Sequence, residues 1–204
     1  MPYVMERIQK VKEMREKSTF KPTRKMALIP FKFREEINPD TFIAIPKTSS
    51  EKRKYIPIGY LDSNTIPGNS IRIIENATLY HFGVLTSNVH MAWMRAVCGR
   101  LKSDYSYSIF IVYNNFPWCT PTDAQKAKIE QTVQAILDAR TKFPDSSLAD
   151  LYDELTMPPE LCKAHQANDF AVMAAYGFDR KITESEYMAE LMRRYRELVK
   201  EADA

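Results

Sequence analysis

Apolar residues follow two rhythms in this chain, and the change between them near residue 118 organises its reading. Ahead of it lie short runs rich in Ile, Phe and Tyr: Ala27 to Phe33, Thr41 to Pro46, Tyr55 to Tyr60, Ser70 to Ile74 and Ile109 to Tyr113. Each has the length of a strand and is bounded by Pro, Asn, Asp or Gly, so together they predict about five strands of a small mixed sheet. Pro57 puts its run at an edge or a bulge, because proline has no N–H for a ladder. Between the last two runs, Met91, Met94, Val97 or Cys98, and Leu101 recur at helical spacing. That predicts a helix over Asn88 to Lys102, capped by Ser87 or Asn88 and stopped near Gly99, with Met and Trp side chains as core. Arg100 and Lys102 then fall where the helix dipole favours cations.

Beyond Trp118 the rhythm is helical throughout. Thr120-Pro121-Thr122-Asp123 reads as a cap with proline at the first helical position, followed by the stripe Ile129, Val133, Ile136, Leu137 as far as about Lys142. Ser147, Leu148, Leu151, Tyr152 and Leu155 predict one short helix. Pro158-Pro159 opens another that Gly177 stops, and Thr183-Glu184-Ser185-Glu186 is a capping box for a last one. At the other end, Val4, Ile8, Val11 and Met14 make a helical stripe with Arg7, Lys10, Lys12, Arg15 and Lys17 on the other faces. Lys21-Pro22 ends that helix, which is too short to be stable alone and needs an apolar partner. The fold class expected is α+β: a basic connector helix over 1–26, a small mixed-sheet domain over 27–118 and a helical subdomain over 119–204.

A chain of 204 residues with 45% hydrophobic content can bury a sizeable core. No apolar run approaches the ~18 residues of a membrane span, there is no signal-peptide pattern, and three cysteines are too few and too odd for a disulfide framework. A soluble, cytoplasmic protein is expected.

The net charge of +3 conceals a polarity. Residues 1–54 carry 14 Lys+Arg against 7 Asp+Glu, residues 55–118 carry 4 against 3, and residues 119–204 carry 11 against 16. A basic end of this kind is the electrostatic footprint of a polyanion binder, although a solvated lysine-rich helix has the same composition. The densest part is Lys47-Thr48-Ser49-Ser50-Glu51-Lys52-Arg53-Lys54-Tyr55. Its cations, hydroxyls and aromatic ring suit phosphate oxygens and base edges, and an ordinary charged loop is the plainer alternative.

Catalytic chemistry is not legible. Asn114-Asn115-Phe116-Pro117-Trp118 resembles the Asn-Pro-Pro-Tyr motif of amino-methyltransferases only loosely, since its single proline follows the aromatic. With five glycines in the chain there is no glycine-rich turn from strand to helix to hold a nucleotide-like cofactor. Cys162 and His165 share a helix face without a second ligand pair, so no metal is expected. The chain reads as a binding module without catalytic, cofactor or metal residues of its own.

Four stretches carry a family resemblance: Ser49 to Tyr60 (SSEKRKYIPIGY), Asn76 to Ser87 (NATLYHFGVLTS), His90 to Tyr105 (HMAWMRAVCGRLKSDY) and Tyr113 to Trp118 (YNNFPW). They resemble the C-terminal part of MmeI-like DNA methyltransferases, large single-chain restriction-modification or phage-defence enzymes of types IIG and IIL. Met157 to Gln166 and Ala174 to Gly177 are similar to the helical segment that ends that family. Two departures are Ser106, where relatives often carry arginine, and Cys119, where proline is common.

The resemblance implies a target-recognition domain followed by a helical C-terminal domain. The upstream methyltransferase domain, which binds S-adenosylmethionine, methylates an adenine amine and in some members accompanies an endonuclease, would lie outside this chain. The expected partners are double-stranded DNA and that upstream domain. Arg53, Lys54 and Ser50 are then the candidates for base reading, and Lys47, Lys52, Arg100 and Lys102 for phosphates, with Ser49 and Tyr105 beside them. An RNA-binding or protein-interaction module without DNA sequence specificity is the alternative.

Overall fold

A computed structural model of the chain describes residues 1–33 and 39–202. The chain forms two compact units, residues 1–38 and 39–204. In the first, helix α1 (Pro2–Glu16) is followed by the short helix α2 (Lys21–Lys25) and a 3-10 turn, Met26–Leu28. Pro22 ends no more than the gap between helices: it sits in the first turn of α2, where its missing N–H costs nothing. The strand expected over Ala27 to Phe33 does not form. Carbonyls within it and just before it meet one guanidinium instead: Arg15 donates to Met26 O at 3.0 Å, Ile29 O at 3.1 Å and Lys32 O at 2.7 Å. No α1 residue is buried in this unit, and Val4 and Met14 of the predicted stripe stay about half exposed.

The second unit is built on strand β1 (Thr41–Pro46), whose Phe42, Ile43, Ala44 and Ile45 are all buried. A strand covered on both faces reads as a continuous apolar run, as this one does. β3 (Gly59–Asp62) and β4 (Ile71–Glu75) flank it, with Ile43 opposite Tyr60 on one side and Ile74 on the other. A second sheet has the order β2-β6-β5, from Thr48–Ser49, Asp104–Ser106 and Gly99–Leu101. The α+β class holds, and where one mixed sheet was expected the described residues form two antiparallel sheets of three strands. β3 is an edge strand, and Pro57 precedes it outside the ladder.

Helices α3 (Leu79–Leu85) and α4 (Asn88–Val97) follow. α3 was not legible in the sequence pattern because Tyr80, Phe82, Gly83, Val84 and Leu85 are buried around its whole circumference, leaving no polar face. α4 ends at Val97, earlier than its apolar spacing predicts, so Arg100 and Lys102 leave the helix and enter the β5–β6 hairpin. Ile109–Tyr113 is a single π-helical turn and not a strand. A run without polar positions cannot distinguish the two, and here Ser108 caps the turn while the Trp93 indole donates to Val112 O at 2.9 Å.

The remaining helices are α5 (Asp123–Thr141), α6 (Leu148–Leu151), α7 (Pro159–Tyr176) and α8 (Glu184–Ala202). The α5 cap is Thr122 with Gln125 as its reciprocal partner, two residues later than the proline predicts. α6 is shorter than expected, and Leu155 lies outside it, 91% exposed. α7 ends as predicted at Gly177, whose φ of 75° is the left-handed conformation that favours glycine. Thr183 and Glu186 form the expected box before α8.

One hydrophobic core joins residues before and after position 118: Ile43, Phe82, Met91, Trp93 and Val112 with Ile129, Val133, Leu161, Val172 and Leu191. Each such side chain contributes about 1.5–3 kcal/mol on burial. Gly83 in α3 lies close against α5: a Cβ added there would lie 2.5 Å from Ile129 Cγ2 and 2.7 Å from Val133 Cγ2. Gly83→Ala is therefore expected to lower stability by up to about 2 kcal/mol, an overpacking cost of ~1–3 kcal/mol less the helix-propensity gain of roughly 1 kcal/mol. Urea denaturation reads this directly, and a stabilised variant would show that α5 gives way.

Two buried histidines set an acid limit. His90 has no exposed surface, its Nε2 lies 2.9 Å from the Tyr107 hydroxyl, and burial lowers its pKa to about 3. His165 is held well below the ordinary range by burial, then by the charges of Arg140 and Lys54. The Tyr152 hydroxyl accepts from Arg140 Nε at 3.0 Å, so its own proton goes to Nε2 of His165 at 2.6 Å, which fixes a neutral imidazole. The unfolded chain, with imidazoles near pH 6.5, binds more protons below that pH. Stability is thus full above about pH 6.5 and falls as pH drops, by about 2 kcal/mol at pH 5 for His90 alone. A urea midpoint that is the same at pH 7.5 and pH 5 would contradict this.

Candidate nucleic-acid interface

The basic loop begins where β1 hands over to β2. Lys47 is anchored through its backbone, its N–H donating to Ser70 O at 2.9 Å and its carbonyl accepting from Tyr107 N at 2.8 Å. Ser49 then pairs with Tyr105 in the second sheet and is 3% exposed. Ser50 turns the chain: its Oγ accepts from Lys52 N at 3.3 Å and its carbonyl from Arg53 N at 3.2 Å, the local side-chain bond that favours serine in turns. Lys52 is exposed beyond the turn, and the Lys54 ammonium lies 5.2 Å from the Tyr55 ring centroid.

β5 and β6 form a hairpin whose two-residue loop is Lys102 and Ser103. Residues 99–103 are all exposed, and Lys102 at the tip has φ 57°. Arg100 is committed to the hairpin's frame: it donates to Ser103 O at 2.9 Å, lies 3.7 Å from the Glu51 carboxylate and stacks 4.2 Å from the Tyr105 ring centroid. Tyr105 is 6% exposed and donates to Glu51 O at 3.4 Å. The structure therefore brings Lys47, Ser49, Ser50, Lys52, Arg100, Lys102 and Tyr105 onto one small sheet and the turn joined to it. Among the described residues, Lys52, Lys54 and Lys102 make no ion pair.

Arg53 goes elsewhere. Its Nη2 donates to Ala149 O of α6 at 3.3 Å, and it lines a cavity of about 590 Å³ with Phe143, Ser146, Asp150, Asp153 and Thr156. Two neighbours of the loop were missed by sequence reasoning. Arg95 on α4 reaches Lys54 O at 3.5 Å and makes a two-pronged ion pair with Glu184 of α8, at 2.8 and 2.9 Å. Asp169 on α7 accepts from the Tyr55 hydroxyl at 2.6 Å and from Asn88 N at 2.8 Å. The only signal for Asp169 in the sequence is a carboxylate among the apolar positions of α7. Burial raises its pKa, and the bonds from Tyr55 and Asn88 oppose that shift.

Of the features first considered as chemistry, Phe116, Pro117 and His165 are packed inside, while Asn114 is exposed and Asn115 and Cys162 are half-buried. Phe116 is 2% exposed against His90 and Trp118, at ring-centroid distances of 4.6 and 5.4 Å, and Tyr176 donates to Pro117 O at 3.0 Å. The ring of His165 stacks on Tyr55 at 4.3 Å. Among the described residues no helix is long and apolar enough to cross a membrane.

A helical body that presents a basic turn and an exposed hairpin has the form of a binding module, and likeness to known proteins says which kind. Residues 1–120 match the MmeI target recognition domain and residues 121–202 the MmeI C-terminal domain, so the chain belongs to this family. It is 41% identical over 198 residues to DNA methyltransferase A of Bacillus subtilis (strain 168), covering 97% of this chain and 22% of that protein. It is also similar to the solved structure of the Type IIL restriction-modification enzyme MmeI in complex with DNA, with a TM-score of 0.88 and 48% identity. That match covers 98% of this chain and 27% of the enzyme, so the chain spans about a quarter of the length of these relatives. The junction of the two family models falls within the single core described above.

The hairpin tip supports one stability prediction. A lysine in the left-handed region is strained by ~1–2 kcal/mol, part of which glycine's greater unfolded freedom would offset. Lys102→Gly is expected to raise stability by ~0.5–1 kcal/mol, seen as a higher urea midpoint at an unchanged slope.

Proposed function

We propose that this chain docks duplex DNA and reads its sequence, as the recognition portion of a longer DNA methyltransferase in a restriction-modification or phage-defence system. The observation that carries this reading is the β5–β6 hairpin, exposed from Gly99 to Ser103, with Lys102 at its tip and Lys52 and Lys54 on the adjoining turn. A two-stranded ribbon is one of the elements that the major groove admits. The likeness of nearly the whole chain to part of an enzyme solved with DNA supports the same reading.

On this reading Lys47, Lys52 and Lys102 neutralise phosphates, while Lys54 and Ser50 lie nearest to base edges. Arg53, Ser49, Arg100 and Tyr105 act at one remove. Arg53 is bonded to Ala149 O, Ser49 and Tyr105 are buried, and Arg100 is stacked and paired, so these four shape the surface that the others use.

The reaction assigned to the longer protein is methyl transfer from S-adenosylmethionine to an adenine N6 amine, with cofactor and catalytic groups in its upstream portion. No step of that reaction is assigned to the residues of this chain.

The test is a salt titration of the chain against a randomised duplex pool, with sequencing of the bound fraction. Enrichment of a short motif and affinity falling steeply with salt are expected, and Lys102→Ala should reduce the slope of log affinity against log salt by ~0.9, one phosphate contact. Failure to bind duplex at low salt, or displacement by RNA in preference to DNA, would overturn the proposal.

A further inference from the structure

The basic turn of the β half is held by the helices that follow it, at three places. Arg53 donates to Ala149 O on α6, Lys54 O accepts from Arg95, which is itself locked to Glu184 on α8, and the Tyr55 hydroxyl donates to Asp169 on α7. The last contact is the most enclosed. Tyr55 is 2% exposed and Asp169 5%, and the second carboxylate oxygen takes the backbone N–H of Asn88, an orphan donor in the first turn of α4. Asp169 thus ties three elements together, and its buried carboxylate makes no ion pair among the described residues to compensate it. Both of its oxygens depend on Tyr55 and Asn88, so losing either donor leaves a desolvated acceptor. The ring that Asp169 holds is also the ring over which the Lys54 ammonium sits.

We propose that Asp169, acting through the Tyr55 hydroxyl, is a positioning residue for DNA binding, so that the C-terminal helices set where Lys52 and Lys54 meet the duplex. This rests on the duplex-binding reading above. It gives the C-terminal helical domain a part in recognition without a DNA contact of its own.

The experiment measures the salt dependence of duplex affinity for the full chain and for Tyr55→Phe, which keeps the ring and removes only the hydroxyl. Freed from Asp169, the turn places its lysines poorly: the slope is expected to fall by ~0.9 as Lys52 loses its phosphate, and Lys54 loses its place at the base edges. Asp169→Ala removes the acceptor and is expected to do the same. Val172→Ala, a cavity in the same helix at a residue with no exposed surface, destabilises the fold without touching the turn and is expected to keep the wild-type slope. A Tyr55→Phe slope equal to wild type overturns the proposal, as does an equal loss in Val172→Ala, which would assign the effect to general stability. Absence of salt-sensitive binding by the wild type would instead overturn the duplex-binding reading on which it stands.

Discussion

A helix buried on all sides has no face for water, so leaving its polar groups without partners inside the protein is costly. α4 is such a helix from Val89 to Met94, and the second unit supplies partners for most of its polar groups, His90 Nδ1 and Asn88 Oδ1 excepted. Its N-terminal donors go to Ser87 Oγ and the Asp169 carboxylate, His90 meets the Tyr107 hydroxyl, and the Trp93 indole meets Val112 O. These partners come from α7, from the strand that leads out of the hairpin and from the π-helical turn. Enclosing α4 therefore draws the sheets and the C-terminal helices around one core, and it places the basic turn against the helices.

The same constraint explains the division of labour on the candidate interface. Side chains that contact the core or its polar fittings, Ser49, Tyr105, Arg53 and Arg100, are engaged within the protein and give the surface its shape. Those beyond the turn or at the hairpin tip, Lys52, Lys54 and Lys102, keep their charge exposed and outside any ion pair among the described residues, Lys54 over the Tyr55 ring, and that charge acts at long range. An arginine's fork needs a planar partner and here finds one in carbonyl, carboxylate or ring, whereas a lysine is a compact charge on a flexible stem. The split between framing arginines and free lysines follows from that chemistry.

Much of the fold was legible where side-chain pattern and local stereochemistry agree. β1 announces itself by an unbroken apolar run, α7 by paired prolines at its start and Gly177 at its end, and α8 by the Thr183–Glu186 box. The candidate interface was legible as a cluster of cations between two strands. The hairpin was not, because its turn is Lys102-Ser103 and carries none of the Asn-Gly or Asp-Gly chemistry that marks such loops; only the alternation of Tyr105 and Tyr107 with Asp104 and Ser106 hinted at it.

The sequence by itself determined which segments could be helix or strand, where most helices begin and end, and that positive charge gathers in the first quarter of the chain, since these are properties of neighbouring residues. Only the tertiary structure decided that Ile109–Tyr113 turns as a π-helix, that Arg53 faces α6, and that Asp169 meets Tyr55 across 114 residues. Uniformly apolar runs carry no periodicity to separate strand from helix. A long-range hydrogen bond, in turn, is selected by the enclosure of a core that no local stretch of sequence contains.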